Sequence, residues 1–369
     1  MSEPDADSYA LRSSALTDIA APVVPYLPPS PRAYRPRIGV IGTGGIVGAH
    51  LDAYRSAGWE VAAICNRTLE KAQEKAAMFA PNARVTDRIN DILNDSGIDV
   101  VDITPHPADR LPIIEAALKA GKHVLSQKPF VLDLAEGRRL VELARMNGVK
   151  LAVNQNGRWS PHMAWMREAV RAGLVGDVIS LHACVHWNHG WIAGTPFERI
   201  DDLILYDFGI HWFDFVKSIV GARSKSVFAT ANAAPGQTAK APLTAQALIR
   251  LDRGQASLVF DGATSFGPRD STVITGTKGT LTSDGPDLGQ QSVTLITAEG
   301  RATPNLQGTW FNDGFRGAMG ALLVAIEDDA EPANGAEENL QSLALAFAAI
   351  KSRRTGREVA VGKATQIEV

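Results

Sequence analysis

Along residues 36–156 the apolar positions fall in short unbroken runs separated by longer amphipathic stretches. Arg37–Gly42 is a β-branched apolar run and reads as a buried strand, with glycines at 42, 44, 45 and 48 behind it. His50–Ala57, stopped by Gly58, predicts a helix. Trp59–Cys65 predicts a strand, and Leu69–Ala80 a charged helix ended by Pro81. The alternation continues through strands at Asp99–Thr104, His123–Ser126 and Lys150–Val153, with helices at Leu111–Ala120 and Asp133–Met146 between them. Strands joined by helices of this length pair in parallel through crossovers. The fold class is therefore α/β, opening with a doubly wound, Rossmann-type dinucleotide-binding domain.

Beyond residue 157 the period shortens. Val178–Val185, Ser226–Thr230, Thr244–Leu251, Ala256–Phe260, Ser271–Gly276, Gly279–Thr282 and Ser292–Thr297 read as strands, several alternating, joined by glycine-rich turns. They predict a C-terminal α/β domain with a large, mainly antiparallel open sheet. Leu340, Leu343, Ala344, Phe347 and Ile350 form a helical apolar stripe, with Lys351, Arg353 and Arg354 at its end and Gly356 as stop. The expected division is an arm at 1–35, a dinucleotide-binding domain at 36–156, and a substrate-binding and oligomerisation domain at 157–369. The proline-rich stretch Ala21–Pro36 reads equally as a loose tail or as an arm anchored by Val23, Val24, Tyr26 and Leu27.

Composition narrows the function. The 369 residues, 45% of them hydrophobic, suffice for two domains. Thirty-seven basic against 40 acidic residues give a net charge of -3, which argues against nucleic acid as a partner. Cys65 and Cys184 cannot build a disulfide framework. Asp5, Asp7 and Asp18 stand where a secretory leader needs basic and apolar residues, and no run is long enough for a membrane span. A cytoplasmic protein with no membrane partner is expected.

The glycine cluster follows a strand and opens a helix, the setting of a dinucleotide site. Gly42 permits the tight turn, and Gly44 lets the backbone approach a pyrophosphate. Thr43, Gly45 and Ile46 complete the loop at the helix start. Val47 occupies the third position, where glycine or alanine is usual. No carboxylate stands at the end of the second strand to hold ribose hydroxyls. Asn66 and Thr68 can hydrogen-bond there, and Arg67 can pair with a 2′-phosphate. This favours NADP(H) and leaves NAD(H) open.

Four stretches together resemble the Gfo/Idh/MocA oxidoreductases: IGTGGIVGAH at 41–50, AGKHVLSQKP at 120–129, NQNGRWSP at 154–161 and DFGIHWFD at 207–214. The resemblance runs from Pro36 to about Val361. It implies a Rossmann domain and a second domain whose open sheet walls the substrate site. It also implies hydride transfer between nicotinamide and a sugar or polyol carbon, and a homodimer or homotetramer. The family's E-K-P lysine maps to Lys128, and its D-x-G-x-H pair to Asp207 and His211. Thr104, Pro105, Gln127 and Asn156 join the implied cofactor site. Three departures stand out: Gln127 replaces the glutamate, Val47 replaces a small residue, and Thr104–Arg110 carries one extra residue, so the histidine usual there is not cleanly matched.

Hydride transfer from an alcohol needs a base for the hydroxyl proton, and a histidine serves in both directions. His211 is the expected proton carrier. Asp207, four residues earlier, would share its face if the segment is helical and would raise its basicity. Lys128 would stabilise charge on the reacting oxygen and relay its proton, and Asp207 would also position the substrate. The sequence leaves open which of Lys128 and His211 is the immediate acid or base. The plainer alternatives are Asp207 as a helix cap and His211 as a core histidine. Arg158 is expected either on substrate or cofactor, or paired with a structural carboxylate. Trp187 and Trp191, in the polar loop HWNHGW at 186–191, and Trp310 beside Asp313 are expected to wall a sugar. Trp165 and Trp212 are expected in the core. His182, Cys184, His186 and His189 raise a zinc reading, but hydride transfer asks for no metal and none is predicted. The function expected is an NAD(P)-dependent sugar or polyol dehydrogenase. The alternatives are a glycosidase that oxidises and re-reduces its sugar on bound nicotinamide, and a non-catalytic sugar sensor. Lys128, Asp207 and His211 together speak against the sensor.

Overall fold

The computed structural model describes residues 16–368, so Asp5 and Asp7 lie outside the described residues. The first sheet has six parallel strands: β1 (Arg37–Ile41), β2 (Glu60–Cys65), β3 (Arg84–Thr86), β4 (Val100–Ile103), β5 (His123–Gln127) and β6 (Leu151–Asn154). Their spatial order is β3-β2-β1-β4-β5-β6, so the order reverses between β1 and β4, where a doubly wound sheet opens a crevice for its ligand. Four helices follow their strands as the sequence pattern predicts: α1 (Val47–Ala57), α2 (Leu69–Phe79), α4 (Pro107–Lys119) and α5 (Leu134–Met146). A short α3 (Asn90–Leu93) completes the set. α4 starts four residues before Leu111 because Pro107, with its fixed φ, sits at the first helical position. β3 is too short to announce itself in a hydrophobic pattern.

The second sheet has nine strands, introduced by α6 (Pro161–Arg171). In chain order they are β7 (Val178–His186), β8 (Ser224–Asn232), β9 (Thr244–Leu251), β10 (Gln255–Asp261), β11 (Arg269–Gly276), β12 (Gly279–Asp287), β13 (Gln290–Thr297), β14 (Gly300–Ala302) and β15 (Val359–Ala360). Only β7 and β10 pair in parallel, at the centre of the order β14-β13-β12-β11-β7-β10-β9-β8-β15. Strict alternation in β9 and β10 sends Ala245, Ala247, Ile249, Ala256, Leu258 and Phe260 inward. There they meet a helical layer that includes α7 (Ile210–Val220) and α9 (Ala336–Thr355). The opposite face leaves Phe228 and Leu248 exposed.

α9 is not the one-sided helix its stripe suggested. It is buried round most of its circumference, because it packs on β8, α7 and also α5 of the first domain. α8 (Trp310–Glu327) likewise returns to α1 and β6. One continuous core therefore joins both sheets, with Leu140, Trp165, Trp212 and Phe347 in the same cluster.

The proline-rich stretch lies along its own chain. Ile19 donates to Arg301 O and Arg301 to Thr17 O, which adds a short parallel bridge at β14. Tyr26 Oη accepts from Gln307 N, and Glu327 accepts from the backbone N–H groups of Arg32, Ala33 and Tyr34. Of the four expected anchors Val24 is buried and Tyr26 is tethered, whereas Val23 and Leu27 are exposed, because an extended chain alternates its side chains.

Candidate active site

The loop after β1 has the shape a dinucleotide needs. Gly42 adopts φ 98°, and a Cβ there would lie 2.6 Å from Thr104 Oγ1 and 2.9 Å from Pro105 Cδ. A Cβ on Gly44 or Gly45 would meet nothing within 4 Å, so the backbone is open where a pyrophosphate would approach. No side chain caps the start of α1 behind Ile46. Thr43 Oγ1 is buried without a partner among the described residues, and Thr43 N donates to Asn66 Oδ1. These residues fit a dinucleotide. Asn66 also donates to Thr68 O, so its amide ties the two loops together. Arg67 is exposed beside them.

Below the loop, Asp102 accepts from Tyr54 Oη and His50 Nδ1, both at 2.7 Å, and Asn154 Nδ2 donates to His50 Nε2 and Gln127 Oε1. Gln127 Oε1 also accepts from Lys128 N at 2.7 Å. Gln127, expected on the cofactor, is thus buried in this network, and its contribution is to fix the backbone of Lys128. The Lys128–Pro129 peptide is cis.

Lys128 leaves the end of β5 and crosses to the second domain. Its Nζ donates to Asp207 O at 2.9 Å and lies 3.0 Å from Asp207 Oδ1. Asp207 sits in a widened turn, Ile204–Phe208, closed by Gly209 N donating to Ile204 O at 2.7 Å, ahead of α7. A Cβ on Gly209 would lie 2.7 Å from that carbonyl, so the turn needs glycine. The geometry corrects the expected Asp207–His211 couple. The two residues are not one turn apart on a regular helix, Asp207 pairs with Lys128, and it caps no helix with its side chain.

His211 is nearly buried, and burial followed by the Lys128 charge holds its pKa well below 6.5, so it is a neutral imidazole. Its Nδ1 has no partner among the described residues and faces Gly157, where a Cβ would lie 3.0 Å away. Trp310 meets the imidazole edge-on at 5.3 Å.

A second histidine, which the sequence places in the polar loop expected to wall a sugar and also among possible metal ligands, belongs here. His189 Nδ1 accepts from Trp187 Nε1 at 2.9 Å, which leaves the proton on Nε2. Burial lowers its pKa to about 4; Asp207 opposes that shift and Lys128 adds to it, which places His189 beside the Lys128–Asp207 pair. Among the described residues no cluster has the makings of a metal site. Trp187 stacks on Phe208 at 3.9 Å and 18°, and Trp191 stands exposed beyond His189.

Three expected ligand contacts go elsewhere. Arg158 is buried, with Nε and Nη2 on Asp214 at 2.7 and 2.9 Å and Nη1 on Ala333 O. The guanidinium is thus committed to a structural carboxylate, one of the two alternatives its sequence position left open. Trp310 is buried and donates to Asn156 Oδ1 at 2.9 Å, so both residues brace His211 from behind. Asp313 accepts from Thr309 N and steadies the loop before α8. Trp165 and Trp212 lie in the core as expected. Arg110 was not singled out by sequence. It lies buried under this site, 3.4 Å from Ser126 Oγ, and burial lowers its pKa to about 10.

Comparison with known proteins agrees with this architecture. Residues 36–155 match the family described as "Oxidoreductase family, NAD-binding Rossmann fold", and residues 163–282 match the "GFO/IDH/MocA C-terminal domain". A D-apiose dehydrogenase of Paraburkholderia graminis is 26% identical over 349 residues, covering 87% of this chain and 88% of that protein. An inositol 2-dehydrogenase of Rhizobium meliloti is 25% identical over 335 residues, covering 88% and 99%. Among solved structures, an oxidoreductase from Agrobacterium radiobacter in complex with NAD+, L-tartaric acid and magnesium superimposes with a TM-score of 0.78 at 21% identity, covering 89% of this chain and 99% of that one. With both of its domains matched in order and with the two sheets that the family implies, this chain belongs to the Gfo/Idh/MocA oxidoreductases.

Proposed function

We propose that this chain transfers a hydride between a nicotinamide cofactor and a secondary alcohol or ketone carbon of a sugar or polyol. The observation that carries the proposal is Lys128, held at the end of a Rossmann strand by Asp207 of the other domain, with a neutral His211 within reach of its charge. The relatives named D-apiose dehydrogenase and inositol 2-dehydrogenase support the substrate class. When bound, the nicotinamide takes or returns the hydride. The Lys128 ammonium donates to the substrate oxygen and stabilises the charge that develops there as its proton leaves. His211, uncharged and with Nδ1 turned to Gly157, takes that proton at Nε2 in oxidation and returns it in reduction. Asp207 positions Lys128, and the His189 Nε2–H is free to hold a neighbouring hydroxyl.

Two finer points belong to the same proposal. Arg67, exposed just after β2, a strand that itself ends in no carboxylate, favours the 2′-phosphate of NADP(H). The outer face of the second sheet, with Phe228 and Leu248 exposed, suits packing against another copy of the chain.

The test is a panel of sugars and polyols assayed for nicotinamide reduction with wild type, Lys128→Met and His211→Asn. Each variant should lose at least about 100-fold in kcat/KM and still bind cofactor. Turnover within about threefold of wild type in either variant would remove that residue from the mechanism. Sugar release from glycosides without net nicotinamide reduction would replace dehydrogenation by the transient-oxidation reading.

A further inference from the structure

An uninterrupted row of aromatic rings leaves the reaction centre and ends on the other domain. Trp187 meets His189 at 5.4 Å, His189 meets Trp191 at 5.0 Å, Trp191 meets Phe197 at 5.5 Å, and Phe197 meets His106 at 6.4 Å. The inner end lies in the field of Lys128 and Asp207. The outer end, His106, stands two residues after Thr104, whose hydroxyl lies under Gly42 at the cofactor loop. The row therefore arches from the substrate domain to the cofactor domain across the mouth of the site.

Its framework is fixed independently of any ligand. Trp187 N donates to Asp261 O and His189 N to Gly262 O, at 3.0 and 2.7 Å. Ile192 is fully buried beneath the loop, and Glu198 accepts from Gly194 N and Lys240 N. The rings are thus held apart in place. Even so, Trp191 is 58% exposed, and Phe197 and His106 also reach solvent. A single sugar or cyclitol ring at Lys128 and His211 would reach Trp187 and His189 and leave the outer three rings in water. Aromatic faces stack on the C–H faces of sugars, and imidazole nitrogens between them can read hydroxyls.

We propose that the substrate carries a second ring, as a disaccharide or other glycoside, and that its outer unit lies across Trp191, Phe197 and His106. This rests on the dehydrogenase reading for the inner unit only. Three of its five rings are indole or phenyl and carry no charge, which suits a neutral glycan. It is also continuous with the reaction centre, which a docking surface for another protein need not be.

The experiment compares glucose, galactose and xylose with cellobiose, lactose and xylobiose. Wild type, Trp191→Ala and Phe197→Ala are measured by nicotinamide reduction and by calorimetric binding in the presence of reduced cofactor. At least one disaccharide should exceed its monosaccharide in kcat/KM. Each variant should lower the disaccharide value about tenfold, and Phe197→Ala should leave the monosaccharide value within about twofold. Equal losses for both sugar classes, no loss for either, or binding of no disaccharide would overturn the proposal. So would a change in the mass of Trp191→Ala in sedimentation, because Trp191 would then be covering a partner subunit. Disaccharide binding that needs Trp191 but gives no hydride transfer would keep the aromatic subsite and sink the dehydrogenase reading. Turnover of monosaccharides alone would do the reverse.

Discussion

Lys128 shows how much of a site can rest on single side chains. Its backbone is fixed from below by the Gln127 carbonyl and its ammonium from across the seam by Asp207, so two domains must be in register for the charge to be placed. Arg67 is the opposite case, an exposed cation with no ion-pair partner among the described residues. If it serves a 2′-phosphate, Arg67→Ala should weaken NADP binding about tenfold and leave NAD binding unchanged, since one charge-assisted pair is at stake. A fluorescence titration with both reduced cofactors reads this, and equal affinities for NADP in the two proteins would end the argument. The residues legible in sequence were those whose type and spacing are demanded by one ligand, such as Gly42, Gly44 and Lys128. Arg158 stayed open in the sequence because a guanidinium after a strand looks the same whether it faces substrate or, as here, Asp214. His189 was missed as a site residue because its setting depends on Trp187 and on Lys128, 61 positions earlier in the chain.

At the scale of elements, the start of α6 meets β11 through a pair that no pattern reveals. His162 and Asp270 are both buried, with Nε2 3.7 Å from Oδ2. Burial lowers His162 to about 3, while burial and then Asp284 raise Asp270 to about 7. Between about pH 4 and 6.5 the unfolded chain gains a proton at His162 and the folded chain keeps one at Asp270. The first weakens the fold as pH falls and the second strengthens it, so the two slopes cancel. Asp270→Asn removes the compensating slope. Relative to wild type, that variant should lose about 1.4 kcal/mol of stability per pH unit as pH falls below 6.5. Urea melts at a series of pH values measure this, and parallel curves for the two proteins would contradict it. Strand and helix order was legible because each element repeats its own period. The wide turn at Ile204–Phe208 was not, since its shape comes from Gly209 approaching Ile204 O and from Lys128 on Asp207.

Across the whole molecule, the segment before β1 works as a strap. It bridges β14, the loop before α8 and the end of α8. Three backbone N–H groups hold the Glu327 carboxylate, with a pKa pulled down to about 2, so the latch stays ionised at any ordinary pH. Glu327→Ala should make residues 21–36 several-fold more sensitive to a non-specific protease while the core survives. Cleavage at the wild-type rate would show that the other tethers suffice. The sequence alone could not choose between arm and tail, because proline-rich composition sets local geometry and not the surface beneath it.

The sequence by itself determined the two-sheet α/β architecture, the dinucleotide loop and Lys128, Asp207 and His211 as candidates for the site. These follow from periodicity, from glycine's access to positive φ and from motifs read in order. Tertiary structure alone decided that Asp207 serves Lys128 and not His211, that His211 is neutral, that α8 and α9 return to the first domain, and that the aromatic row spans the seam. The reason is physical. Partners and burial set charge and orientation, and both come from residues far apart in the chain.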